Sequence, residues 1–138
     1  YLESLVLARG LEEVLGTPES RRDLSVALNN VGRVAEARGD WHAAQDVYLE
    51  SLVLARGLEE VLGTPESRRD LSISLDNVGQ VAEVRGHWDA AEKAYLESLE
   101  IRRELENLLG TPQAQQDVST SQENLRRLSQ KRADLGDL

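Results

Sequence analysis

The stretch "YLESLVLARGLEEVLGTPESRRDLS", Tyr1 to Ser25, returns letter for letter as Tyr48 to Ser72. A looser third copy, "YLESLEIRRELENLLGTPQAQQDVS", runs from Tyr95 to Ser119, so copies start at 1, 48 and 95 with a constant period of 47 residues. A period of that size marks a stacked repeat array, in which each unit buries its apolar face only against its neighbours. The 138 residues carry no compositional break. One array over residues 1–138 is therefore expected, with residues 112–138 as its C-terminal capping helix.

Each unit reads as two helices. At Gly16–Pro18 the "GTP" triplet closes one helix with glycine and opens the next with threonine as cap and proline in the first turn, and it recurs at Gly63 and Gly110. "RGDW" sets Gly39 after a helix and Asp40 before Trp41, a tight turn with a carboxylate as N-cap. On the first helix Leu24, Leu28, Val31 and Ala35 share a narrow sector that Ala27 and Val34 widen, which makes it the buried face. On the second, Trp41, Ala44, Tyr48, Leu52, Ala55, Leu58 and Leu62 recur for about six turns, longer than one neighbouring helix covers. That helix is expected to be sandwiched between two others. Gly32 and Gly79 fall mid-helix, where glycine costs roughly 1 kcal/mol relative to alanine, and they point to close helix approach. At Gly10 and Gly57 the third copy has Glu104, so a long side chain is tolerated there.

The composition excludes several classes of function. A net charge of −9 repels nucleic-acid phosphates and anionic lipid, so neither nucleic acid nor membrane is an expected partner. The absence of cysteine removes thiolate metal sites, disulfides and thiol catalysis, and a cytoplasmic location is the expectation. No segment approaches the ~18 uninterrupted apolar residues of a membrane span. His42 and His87 stand singly at helix turns, one repeat apart, without the i, i+4 spacing of a metal site, and read as turn residues. Glu12–Glu13 and Glu59–Glu60 are adjacent and diverge by about 100° on a helix, so they form no acid–base pair. No catalytic, cofactor or metal constellation stands out, and the chain is not read as an enzyme.

With the pattern Leu28, Val31-Gly32, Gly39, Trp41, Ala44, Tyr48 and Ser51-Leu52, repeated as Leu75, Val78-Gly79, Gly86, Trp88, Ala91, Tyr95 and Ser98-Leu99, the chain resembles the tetratricopeptide repeat family. Its second helix continues to Leu62 and its proline is Pro65, so it is longer than the usual unit of about 34 residues and similar in style to kinesin light chain repeats. The resemblance implies an all-α fold, a right-handed solenoid of antiparallel helix pairs whose first helices line a concave groove for peptides or partner domains. It also implies a structural role for Trp41 and Trp88.

Between units one and two the differences fall at 26, 27, 29, 33, 37, 40, 42, 45, 46 and 47. Positions 26, 29, 33 and 37 lie within roughly 80° of one another, opposite the Leu24, Leu28, Val31, Ala35 stripe. In the resembled architecture this face is the groove, and the candidate partner-binding residues are Asn29, Arg33 and Glu36, then Asp76, Gln80 and Glu83, then Glu123, Arg127 and Lys131. Two readings of the stripe stand: a surface for a protein or peptide, or solvent-exposed drift after duplication, which the convex changes at 42, 45 and 46 resemble. For the function as a whole, an interaction scaffold is expected, with a structural module that stacks end to end as the alternative.

The last helix replaces Leu75, Gly79 and Ala82 by Gln122, Arg126 and Ser129 yet keeps Val118, Leu125 and Leu128, so one face packs backward and the other is wet. At the other end the chain opens inside a second helix without a counterpart of "WHAAQDV". Tyr1, Leu5, Leu11 and Leu15 are expected to present an apolar end that supports weak self-association.

Overall fold

In the computed structural model, which describes residues 2–136, the chain forms α1 (Leu2–Leu15), α2 (Pro18–Ala37), α3 (Trp41–Leu62), α4 (Pro65–Val84), α5 (Trp88–Leu109) and α6 (Pro112–Gly136). Each helix packs on the next, α1 on α2 through to α5 on α6. This is an all-α repeat solenoid.

The punctuation read from the sequence is made of specific bonds. Gly63 ends α3 with φ 57°, a left-handed conformation that costs glycine no Cβ clash, and its N–H reaches Glu59 O at 2.8 Å. Thr64 then caps α4: its Oγ1 accepts from Ser67 N at 3.1 Å while Ser67 Oγ accepts from Thr64 N at 3.0 Å. The same capping box joins Thr17 and Ser20. At the third copy Ala114 replaces the serine, and only the bond from Ala114 N to Thr111 Oγ1 remains, at 3.1 Å. Asp40 caps α3 by accepting from Ala43 N at 3.1 Å, whereas His87, in the same place before α5, makes no side-chain cap bond.

Apolar packing is divided among clusters at successive helix junctions, as expected of a solenoid. Leu5 and Ala8 of α1 meet Leu24, Ala27 and Leu28 of α2; Ala44 and Tyr48 meet Val81; Ala55 meets Leu71, Leu75 and Ala94; Ala82, Ala91 and Tyr95 meet Leu128. Trp41 and Trp88 are half-buried and pack against the second and fourth of these contacts, the ones that contain Tyr48 and Tyr95. Gly32 and Gly79 face those tyrosines: a Cβ would lie 2.2 Å from Tyr48 Cε1 in one case and 2.6 Å from Tyr95 Cε1 in the other. A Cβ added at Gly10 or Gly57 would meet no atom of another helix within 4 Å among the described residues.

Three expectations change. Leu5 is buried against α2 and does not belong to the apolar end, which is formed by exposed Leu7, Leu11, Val14 and Leu15; Tyr1 lies outside the described residues. Leu62 is exposed, because the stripe of α3 runs past its cover at the helix end. Asp76 and Glu83, placed by the helical wheel on or near the outward stripe, are buried. The wheel locates a side chain relative to its own helix, and both carboxylates turn toward cations supplied by other helices. On α6 the division holds: Val118 and Leu128 are buried, Leu125 is half-buried, and Gln122, Arg126 and Ser129 are exposed. Among the described residues, no helix is long and apolar enough to cross a membrane.

Candidate functional site

The repeat period sets two layers of helices, each tied by ion pairs that recur every 47 residues. In the layer of second helices, Arg9 of α1 binds Glu50 of α3 at 2.6 Å, and Arg56 of α3 binds Glu97 of α5 at 2.6 Å. In the layer of first helices, Arg22 of α2 binds Asp70 of α4 at 3.0 Å, and Arg69 of α4 binds Asp117 of α6 at 2.8 Å. The three exposed pairs contribute about 0–1 kcal/mol each, while Arg69–Asp117 is part-buried; together they link neighbouring helices within each layer.

Between those first helices lie two grooves in repeat-equivalent places. The one between α2 and α4 has a volume of about 450 Å³, with Val26, Asn29, Arg33 and Ile73 on its walls and Ala55, Leu58 and Leu62 of α3 as its floor. Its counterpart between α4 and α6 has about 250 Å³, with Arg69 and Asp117 on its walls and Arg102, Leu105 and Leu109 of α5 below. Arg102 stands where the first groove has Ala55. Its guanidinium donates to Asp76 Oδ2 at 2.6 Å, Ser72 Oγ at 3.1 Å and Ser121 Oγ at 3.0 Å. Burial pushes the Asp76 carboxyl above its ordinary value, and Arg102 pulls it the other way.

A second buried carboxylate lies farther along α4. Glu83 accepts from Tyr95 Oη at 2.8 Å and from Arg127 Nε and Nη2 at 2.9 Å each, and pairs with Lys131 Nζ at 2.6 Å. Burial alone would raise its carboxyl, but the bonds from Arg127, Lys131 and Tyr95 outweigh burial and hold it at about 2. Burial, then the bond to Glu83, push the Tyr95 hydroxyl well above the usual phenol value.

The nine candidate residues thus divide into groups. Asn29 and Arg33 line the larger groove, and Glu36 is half-buried farther along α2. Gln80 and Glu123 are exposed. Asp76, Glu83, Arg127 and Lys131 join in ion pairs across α4, α5 and α6. On the other layer, exposed His42 lies 3.7 Å from Asp46 and Gln45 accepts from Arg85. Among the described residues, no group of three His, Asp or Glu side chains could share a metal ion.

Two family models described as tetratricopeptide repeat match the chain, at residues 27–62 and 72–108. The chain belongs to the tetratricopeptide repeat family. Each match runs from within a first helix to the end, or near the end, of the second helix that follows it, α2 to α3 and α4 to α5. Tetratricopeptide repeats generally mediate protein–protein interaction. No curated protein matches the chain.

Within the tetratricopeptide repeat framework, Ala55, Arg102 and the Arg22–Asp70 and Arg69–Asp117 pairs also shape the grooves, and comparison of units one and two alone misses them. Ala8 and Ala55 are the same residue in those units, so the change appears only in the third copy, as Arg102. A signal did exist. Asn29 precedes Ala55 by 26 residues and Asp76 precedes Arg102 by 26, so the acid and the arginine arrive together.

Proposed function

We propose that this chain is a protein-interaction scaffold, cytoplasmic in setting, which receives an extended peptide or a partner segment along its first-helix layer. The observation that carries the reading is the groove of about 450 Å³ between α2 and α4. Apolar Val26 and Ile73 flank it, Leu58 and Leu62 floor it, and polar Asn29 and Arg33 stand beside them, the mixture that fixes and orients a ligand. Val26 is also exposed, and the swap of Val26 for Ile73 keeps an apolar side chain on both walls of this groove, where the third copy has Thr120. The binding surface continues toward Glu36, Gln80 and Glu123, with Asp76, Glu83, Arg127 and Lys131 setting its shape. Units starting at 1, 48 and 95 then act as one array over residues 1–138 with residues 112–138 as its cap.

The test is selection of peptides from a random dodecamer library on the folded protein, followed by calorimetry. Val26→Glu with Ile73→Glu should weaken the selected peptides at least tenfold, with helicity by circular dichroism unchanged. Replacing His42, Gln45 and Asp46 by alanine should leave affinity as it was. The reverse pattern would put the binding surface on the other layer. Arg127 is unsuited to this test because its loss also unpairs buried Glu83.

A second reading, end-to-end self-association, is favoured by the exposed Leu7, Leu11, Val14 and Leu15 of α1.

A further inference from the structure

The two grooves have equivalent positions with different occupants, and one of them is filled by the chain itself. Over α5 the guanidinium of Arg102, 4% exposed, is held by Asp76, Ser72, Ser121 and, at 3.4 Å, the carbonyl of Asp117. One repeat earlier the corresponding residues are Asn29, Ser25, Ser74 and Asp70, and Ala55 takes the place of the arginine. Every side-chain acceptor type recurs except that an amide replaces the carboxylate. Asn29 Oδ1 is buried and accepts no hydrogen bond among the described residues. An unpaired buried acceptor is costly, and this one sits on the wall of the larger groove.

We propose that the groove between α2 and α4 takes an arginine side chain of a partner peptide, its guanidinium lying over Ala55 and donating to Asn29 Oδ1 and Ser25 Oγ. This inference rests on the groove being the binding surface. Arginine fits better than lysine because its planar fork carries five donors that can reach several dispersed acceptors at once, as Arg102 does. The amide is explained too. Asp76 is buried and its resident Arg102 offsets the desolvation of a carboxylate, an offset that the neutral amide of Asn29 does not require. The surrounding charge favours a cation: Glu19, Glu66 and Asp70 line the groove against Arg22 and Arg33, and Arg22 is already bound to Glu66 and Asp70.

The same comparison gives the ligand a spacing. Glu83 receives Arg127 and Lys131, but at the equivalent places its counterpart Glu36 has Gln80 and Val84, so Glu36, which neighbours the Tyr48 hydroxyl as Glu83 does that of Tyr95, has no cation from the next first helix. Arg33 turns to Asn30 at 3.1 Å instead. Asn29 and Glu36 lie on one face of α2 about 10 Å apart along its axis, the span of about three extended residues. The partner motif is therefore arginine with a second basic residue three positions away.

The probe is the acetylated, amidated tetrapeptide Arg-Gly-Gly-Arg, titrated into the labelled protein by NMR against the same peptide with citrulline for each arginine. Saturable shifts at the Asn29 side-chain amide and around Ser25 and Ala55, at least tenfold weaker with citrulline, are expected. Asn29→Asp should tighten binding roughly five- to tenfold, since a charged acceptor makes the stronger bond. Ala55→Arg, which supplies the arginine internally, should abolish it. Should that variant fail to fold, Asn29→Leu keeps the cavity without the acceptor and should weaken binding at least tenfold. Equal binding of the citrulline peptide, or binding indifferent to Asn29 and Ala55, overturns the inference. If library peptides lacking arginine bind and are lost on Val26→Glu with Ile73→Glu, the arginine site fails while the groove stands. If no peptide depends on the groove residues at all, both readings fail.

Discussion

Gly79 and Tyr95 are in such close contact that a Cβ on the glycine would stand 2.6 Å from the tyrosine's Cε1 and 2.8 Å from its Cδ1. Tyr95 is fully buried, and its hydroxyl is held by Glu83, so the ring has little freedom to move aside. Gly79→Ala should therefore destabilise by about 1–3 kcal/mol despite alanine's better helix propensity, and Gly79→Leu by more. Gly57→Ala, where the added Cβ would meet no atom of another helix within 4 Å among the described residues, should stabilise by about 0.5–1 kcal/mol. Leucine at Arg126, the exposed equivalent of Gly79 on α6, should change little. Urea denaturation of the four variants checks the ordering; a Gly79→Ala protein at least as stable as the parent would remove the packing account.

The Glu83 cluster gives a pH dependence whose sign follows from its lowered carboxyl, held at about 2. A carboxylate bound more tightly in the folded chain contributes stability that is complete above the unfolded value of about 4.3 and disappears as pH falls toward 2. Glu83→Gln should cost about 1.5–3 kcal/mol at neutral pH, the range for bonds to charged groups. The gap between parent and variant should narrow below pH 4. Parallel stability curves across that window would show that the cluster is not linked to folding.

Arg102 and Asp76 are coupled through burial. Arg102→Ala leaves the Asp76 carboxyl without its cation and should cost about 3–5 kcal/mol. Adding Asp76→Asn reproduces the pairing of Asn29 with Ala55 and should recover about 1–3 kcal/mol of that loss. A double-mutant cycle measures the coupling, and strict additivity would mean that the two residues act independently.

The exposed apolar residues of α1 should support weak association between copies. Sedimentation equilibrium should show mass rising with concentration into the high micromolar range, and Leu7→Glu with Leu11→Glu should suppress it. A strict monomer throughout would count against a role for this surface in assembly.

Much of the architecture was legible because its signals are local. The 47-residue period, the recurring "GTP" and the Leu24, Leu28, Val31 stripe each depend on backbone conformation or helical spacing within one unit, and the helices begin and end where those signals fall. The close approach at Gly32 was legible for the same reason: a mid-helix glycine has a known cost, and contact explains it.

The candidate site was legible only in part. Asn29 and Arg33 do line the larger groove, but Asp76 and Glu83 turned out to be buried, with Arg102, Arg127 and Lys131 arriving from α5 and α6 to neutralise them. A helical wheel assigns direction relative to one helix and says nothing of what a neighbour brings to that side. What the sequence by itself determined is the repeating pair of helices, since capping, turn conformation and amphipathic period act over a few residues. What only the tertiary structure decided is which polar groups find partners. The identical stretch around Ser25 and Ser72 lies beside an open floor at Ala55 in one unit and a buried guanidinium at Arg102 in the next, because a groove is formed by three helices and its character depends on all of them.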